Sequence, residues 1–124
     1  MVRDKILLVE DYGPLLRAVG DILEMEGFSV FLAADGAAGL RAVQEIHPDL
    51  VVTDILMPEM DGYAFYKAVR ARPDWARIPF VFLTCKADEK DLQKAEALGV
   101  EGYITKPFEP RELVDIIRAK LASV

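Results

Sequence analysis

Short runs of apolar residues alternate along the chain with longer segments of helical period. The runs are Ile6–Val9, Val30–Ala33, Leu50–Thr53, Phe80–Thr84 and Tyr103–Thr105. They are almost continuously hydrophobic rather than alternating, which predicts strands buried on both faces, as in a parallel sheet. In the first intervening segment Leu15, Leu16, Val19, Ile22, Leu23 and Met25 fall near helical spacing, with Arg17, Asp21 and Glu24 between them. Pro14 suits its first turn and Gly27 its stop. A second helix is expected from about Ala37 to Ile46, ended by His47-Pro48, and a third from near Gly62 to just before Arg72-Pro73. The fourth spans about Glu89 to Leu98 and is closed by Gly99. The last begins at Pro110 and places Leu113, Val114, Ile116, Ile117 and Leu121 on its apolar side. Five strand–helix units predict one α/β domain over residues 1–124, a doubly wound parallel sheet with helices on both faces. Such sheets bind ligands in a crevice at the carboxyl ends of the central strands.

Composition narrows the function. A chain of 124 residues, 52% hydrophobic, can bury about two-thirds of its unfolded surface and needs no disulfide or metal to fold. A net charge of −6 disfavours broad binding to nucleic acid or to an anionic membrane. With one cysteine, Cys85, and one histidine, His47, neither a disulfide framework nor a His/Cys metal site is available, so any metal must be a hard cation held by oxygen. The first apolar run has only four residues, Ile6 to Val9, before Glu10. That is too short for a signal-peptide core, and no stretch approaches a membrane span, so a cytoplasmic location is expected.

The chemistry lies in the polar residues that close four of the five apolar runs. The first run ends in Glu10-Asp11, the third in Asp54, the fourth in Thr84 and the fifth in Lys106-Pro107. Taken singly, an Asp is a turn former or a helix cap and Thr84 a strand residue. Taken together they direct acid, acid, hydroxyl and ammonium groups to one edge of the sheet. Carboxylates about 4 Å apart repel by roughly 4 kcal/mol at an effective dielectric near 20. Either one takes up a proton or a cation sits among them. Oxygen ligation with room for water suits Mg²⁺. With Lys106 and a hydrogen bond from Thr84, such a site forms an electrostatic clamp for a phosphoryl group, and a carboxylate within it can act as nucleophile.

These residues, in this order, resemble the receiver domains of two-component response regulators, and the resemblance covers Lys5 to about Ala122. It is carried by Leu8-Val9-Glu10-Asp11, by the stretch Pro48-Asp49-Leu50-Val51-Val52-Thr53-Asp54-Ile55-Leu56-Met57-Pro58-Glu59-Met60-Asp61-Gly62, by Val81-Phe82-Leu83-Thr84, and by Gly102-Tyr103-Ile104-Thr105-Lys106-Pro107-Phe108. The family implies a flavodoxin-like (βα)5 fold with strand order 2-1-3-4-5. It implies that Asp54 is phosphorylated by a histidine kinase or phosphotransfer protein. Asp11 and Asp54 would be direct Mg²⁺ ligands, Glu10 would act mostly through water, and the Leu56 carbonyl would add a ligand. Thr84 corresponds to the switch hydroxyl, Lys106 to its charged partner, and Tyr103 to an aromatic that turns inward on activation. The Lys106–Pro107 bond is expected to be cis. A downstream partner would dock on the face of helix four, strand five and helix five, with the chain a monomer or a phosphorylation-dependent dimer and neither nucleic acid nor membrane bound directly.

Cys85 departs from the family's commonest pattern, and Leu56 and Lys86 fall at its variable positions. Cys85 stands where Ala or Gly usually follows the switch Thr; its thiol either narrows access to the phosphorylation site or is a small apolar filler, more often inert than redox-sensing. Leu56 and Lys86 occupy the variable positions that tune hydrolysis. An apolar Leu56 cannot orient an attacking water, so slow self-dephosphorylation is expected. Asp61-Gly62 reads as a turn, His47 as a helix-end dipole partner, and Trp75 and Tyr66 as packing residues.

Other classes fit less well. An aspartate phosphatase would carry its nucleophile on the first strand with a second Asp two residues on, where this chain has Leu56 after Asp54. A flavin-binding module would want a Ser, Thr and Gly-rich loop in place of the acidic Glu10-Asp11-Tyr12-Gly13-Pro14. A pseudo-receiver that only binds a partner is the remaining alternative. The output stays open: no DNA-binding or catalytic domain follows helix five, so the chain is expected to be stand-alone or excised from a longer protein.

Overall fold

Successive residues of a strand face opposite ways, and here the two sets of side chains build two separate cores. The computed structural model describes residues 3–84, 89–100 and 102–122; Cys85 and Lys86, the two positions after Thr84, lie outside them. The elements are β1 (Lys5–Val9), α1 (Gly13–Met25), β2 (Ser29–Ala33), α2 (Gly36–Ile46), β3 (Leu50–Asp54), α3 (Gly62–Arg70), β4 (Phe80–Thr84), α4 (Glu89–Leu98), β5 (Gly102–Thr105) and α5 (Pro110–Ala122). All strand pairs are parallel, in the order β2-β1-β3-β4-β5, which is the doubly wound arrangement expected. Ile6, Leu8, Leu50, Val52, Val81 and Leu83 pack against Leu16, Val19 and Leu23 of α1 and Leu113, Val114 and Ile117 of α5. On the other face Leu7, Val9, Val51, Phe80 and Phe82 meet Val43 of α2 and Phe65, Tyr66 and Val69 of α3.

Local chemistry sets the ends. Pro14 sits in the first turn of α1. Gly27 and Gly99, at φ of 97° and 78°, follow α1 and α4 in the left-handed conformation that releases a chain from a helix. Asp35 and Asp61 cap α2 and α3 by accepting from the Ala38 and Ala64 N–H groups. His47 ends α2 in a left-handed conformation, with its own N–H bonded to Val43.

One expectation needs correction. The apolar run at β2 predicts burial on both faces, yet Ser29, Val30 and Phe31 are only half-buried and Leu32 is 47% exposed. β2 is an edge strand, paired to β1 alone, so composition overstates its burial. The third helix runs from Gly62 to Arg70, ahead of Arg72-Pro73 as expected, and a 3-10 turn that the periodicity does not anticipate follows at Pro73–Trp75. Pro73 forces Arg72 into extended backbone. The turn then buries Trp75 beneath the Arg72 guanidinium, 4.6 Å from the ring centre.

Candidate functional site

Strand register brings the polar residues together. Val9 pairs with Thr53, so Glu10 and Asp54 are the next rung between β1 and β3, at the point where the strand order reverses. Asp54 pairs with Leu83, one residue before Thr84, and Thr84 pairs with Thr105, one before Lys106. The helix-cap explanation for the first acids fails, because α1 is capped by Tyr12 without a side-chain bond. Asp54 is the last residue of β3 rather than the first after it.

Carboxylate oxygens of Glu10, Asp11 and Asp54 lie within 4.8 Å of one another. Asp11 is exposed, whereas Glu10 and Asp54 are buried. The Lys106 Nζ lies 2.6 Å from Glu10 Oε1 and 3.4 Å from Asp54 Oδ1. Asp54 Oδ1 also accepts the Ile55 N–H at 2.9 Å, which orients the carboxylate. Burial raises the Glu10 pKa above its ordinary 4.5, the neighbouring Asp54 carboxylate adds to this, and Lys106 only partly opposes it. For Lys106 burial alone would lower the pKa. The hydrogen bond to Glu10 and the negative charges of Asp54 and Glu10 outweigh it, and the pKa ends above 10.5. The ammonium therefore stays charged at neutral pH and offsets one of three carboxylates.

The remaining imbalance fits a divalent cation. Every donor in the cluster is oxygen, the preference of Mg²⁺. Oε2 of Glu10 is buried with no hydrogen-bond partner among the described residues, and such an orphaned acceptor is costly unless something positive or protic meets it. Thr84 is buried at the same edge, and Tyr103 is half-buried on β5 opposite Phe82. Leu56 is 45% exposed in the loop after β3. The Lys106–Pro107 bond is cis.

One contributor reads from the sequence only as a turn. Gly62 sits against the Asp54 backbone: a Cβ added there would overlap the Asp54 carbonyl oxygen and lie 2.8 Å from Ile55 Cα. Its N–H donates to the Ile55 carbonyl at 2.8 Å. Just before it, the Met60 N–H bonds Pro58 O across Glu59 at φ 67°, a γ-turn that folds the loop back toward the strand end. The Asp61-Gly62 pair is the available signal, but close approach of two backbones leaves no mark of its own in a sequence.

Known proteins share this sequence pattern and fold. Residues 6–118 match the response regulator receiver domain family. The DNA-binding response regulator MtrA of Mycobacterium tuberculosis (strain ATCC 25618 / H37Rv) is 38% identical over 120 residues, covering 97% of this chain and 51% of the relative. The chain thus spans about half the length of the curated relatives it matches. Among solved structures, the Vibrio cholerae chemotaxis protein CheY4 superposes with a TM-score of 0.90 at 31% identity, covering 95% of this chain and 98% of that one. The signal receiver domain of a signal transduction histidine kinase from Syntrophus aciditrophicus gives 0.89 at 33% identity, covering 98% and 92%. With residues 6–118 matched by the family and the parallel sheet shared with its solved members, the chain belongs to the response regulator receiver domains of two-component systems.

Proposed function

We propose that Asp54 accepts a phosphoryl group from the phosphohistidine of a histidine kinase or phosphotransfer protein. The observation that carries this is the Asp54 carboxylate held between an acidic pair and an ammonium group on one edge of the sheet. An Asp54 oxygen attacks phosphorus, the P–O bond forms, the P–N bond breaks and the imidazole leaves. Asp11, Asp54, the Leu56 carbonyl and, through water, Glu10 would hold Mg²⁺, which when bound neutralises charge on the transferring group. Lys106 exchanges its hydrogen bond with Glu10 for one to the phosphoryl oxygens, and the Thr84 hydroxyl moves onto them. Those new contacts favour a second conformation by population shift, with Tyr103 turning inward.

The donor has an apolar approach. Tyr12 and Leu56, 64% and 45% exposed, flank the acids in sequence. A groove of about 460 Å³ between Leu15, Val19 and Ile22 of α1 and Pro107 and Phe108 is lined also by Lys106. A helix bearing the phosphohistidine beside apolar residues suits it. The output partner would use α4, β5 and α5. The MtrA relatives are named as DNA-binding; for this chain we assign the receiver role, with no direct DNA contact. Among the described residues no helix is long and apolar enough to cross a membrane; the proposed phosphorelay role fits a cytoplasmic location.

The test is incubation with acetyl phosphate, acid quench and intact-mass measurement. One phosphoryl adduct in Mg²⁺, abolished by EDTA, is the expected result. No adduct under either condition, with Mg²⁺ shown to bind and beryllofluoride shown not to bind, would leave the pseudo-receiver as the better account. Leu56→Asn is expected to shorten the adduct's lifetime severalfold by supplying a group that can orient water. A lifetime equal to or longer than that of the unaltered chain would remove Leu56 from any part in its persistence.

A further inference from the structure

Helix α4 is poor in apolar residues, reading Glu-Lys-Asp-Leu-Gln-Lys-Ala-Glu-Ala-Leu, so burial alone anchors it weakly. Two tyrosines of α3 supply polar attachments. The Tyr66 hydroxyl donates to the Leu98 carbonyl at 2.8 Å, satisfying an acceptor in the last helical turn that has no intrahelical donor. Lys94 Nζ lies 4.2 Å from the ring centre of Tyr63. Both rings rest on β4. Tyr66 meets Phe80 and Phe82 edge-on at 5.0 and 5.9 Å, and Tyr63 meets Phe82 at 5.3 Å. Phe82 stands two residues before Thr84 and opposite Tyr103. The same aromatic group therefore touches the strand that carries the switch hydroxyl and holds the end of α4.

We propose that the Tyr66 hydroxyl is a positioning group that holds α4 in the arrangement of the unphosphorylated protein, so that switching must work against this bond. The inference rests on the receiver reading above. In the reading above Lys106 leaves Glu10 for the phosphoryl oxygens; here the two are bonded, as that reading expects before phosphorylation. An interaction made in one of two states biases the equilibrium toward that state, and removing it favours the other.

The experiment compares Tyr66→Phe with the unaltered chain, which keeps the ring and loses only the hydroxyl. Beryllofluoride with Mg²⁺, a stand-in for the phosphoryl group, is titrated by calorimetry, and amide exchange is followed at residues 96–100. Faster exchange there together with about three- to tenfold tighter binding, the worth of one net hydrogen bond, is the expected result. Faster exchange with unchanged affinity would overturn the proposal and leave the hydroxyl a purely structural cap. Weaker binding would overturn it by placing the bond in the activated state. If the unaltered chain fails to bind beryllofluoride, the receiver reading itself falls and this inference falls with it.

Discussion

Asp54→Asn is expected to form no phosphoryl adduct and, without Mg²⁺, to unfold about 4 °C higher than the unaltered chain. The amide keeps an oxygen where Oδ1 accepts the Ile55 N–H at 2.9 Å, so the strand end retains its geometry while the proposed nucleophile is lost. Stability rises because Asp54 faces two carboxylates and one ammonium. A like-charge pair about 4 Å apart costs up to roughly 4 kcal/mol at an effective dielectric of 20. The attraction to Lys106 at 3.4 Å offsets most of this, reduced by that side chain's 20% exposure. Net relief of about 1 kcal/mol corresponds to about 4 °C for a domain of this size. The pH dependence has a definite sign. With its pKa raised above 4.5, Glu10 in the folded state holds a proton that the unfolded chain has already released. Its contribution to stability is therefore full below 4.5 and is lost as pH rises through the folded value. Asp54 causes part of that rise, so the decline with pH should be shallower in the variant. Thermal melts in EDTA between pH 5 and 8 measure both effects. A lower melting temperature for Asp54→Asn would mean that the attraction to Lys106 exceeds the repulsion.

Gly62→Ala is expected to cost about 2 kcal/mol, or roughly 8 °C, and to slow adduct formation by as much as a hundredfold. The new methyl would overlap the Asp54 carbonyl oxygen and press on Ile55 Cα. Neither side can yield cheaply, because Gly62 is bonded to Ile55 and Asp61 caps the helix behind it. Overpacking of this kind costs about 1–3 kcal/mol. The usual helical advantage of Ala, up to about 1 kcal/mol in a helix interior, is small at the first position of α3. Displacing the β3 end moves the proposed nucleophile, and a shift of about 1 Å can reduce a rate by about 10². Denaturant unfolding and the rate of reaction with acetyl phosphate read the two consequences separately. A variant as stable as the unaltered chain would show that α3 can slide away from β3 at little cost.

Much of this protein is legible in its sequence, because the signals are local. Five apolar runs separated by amphipathic segments specify an α/β domain, and Pro14 and Gly27 mark helix ends through their own backbone preferences. Glu10, Asp11, Asp54, Thr84 and Lys106 stand out since each closes an apolar run, and parallel strands must end at one edge. The features that the sequence leaves undetermined depend on neighbours distant in the chain. Only strand order makes β2 an edge strand and exposes Leu32. Only the meeting of α3 with the end of β3 turns Gly62 from a turn residue into a steric requirement. Tyr66 reads as a packing residue, which its burial bears out, but its hydroxyl reaches a carbonyl 32 residues away. The pairing of Lys106 with Glu10, 96 residues apart, and the raised Glu10 pKa likewise arise only when the sheet closes. Apolar periodicity is a property of a segment, whereas burial, charge proximity and steric exclusion are properties of the assembled fold.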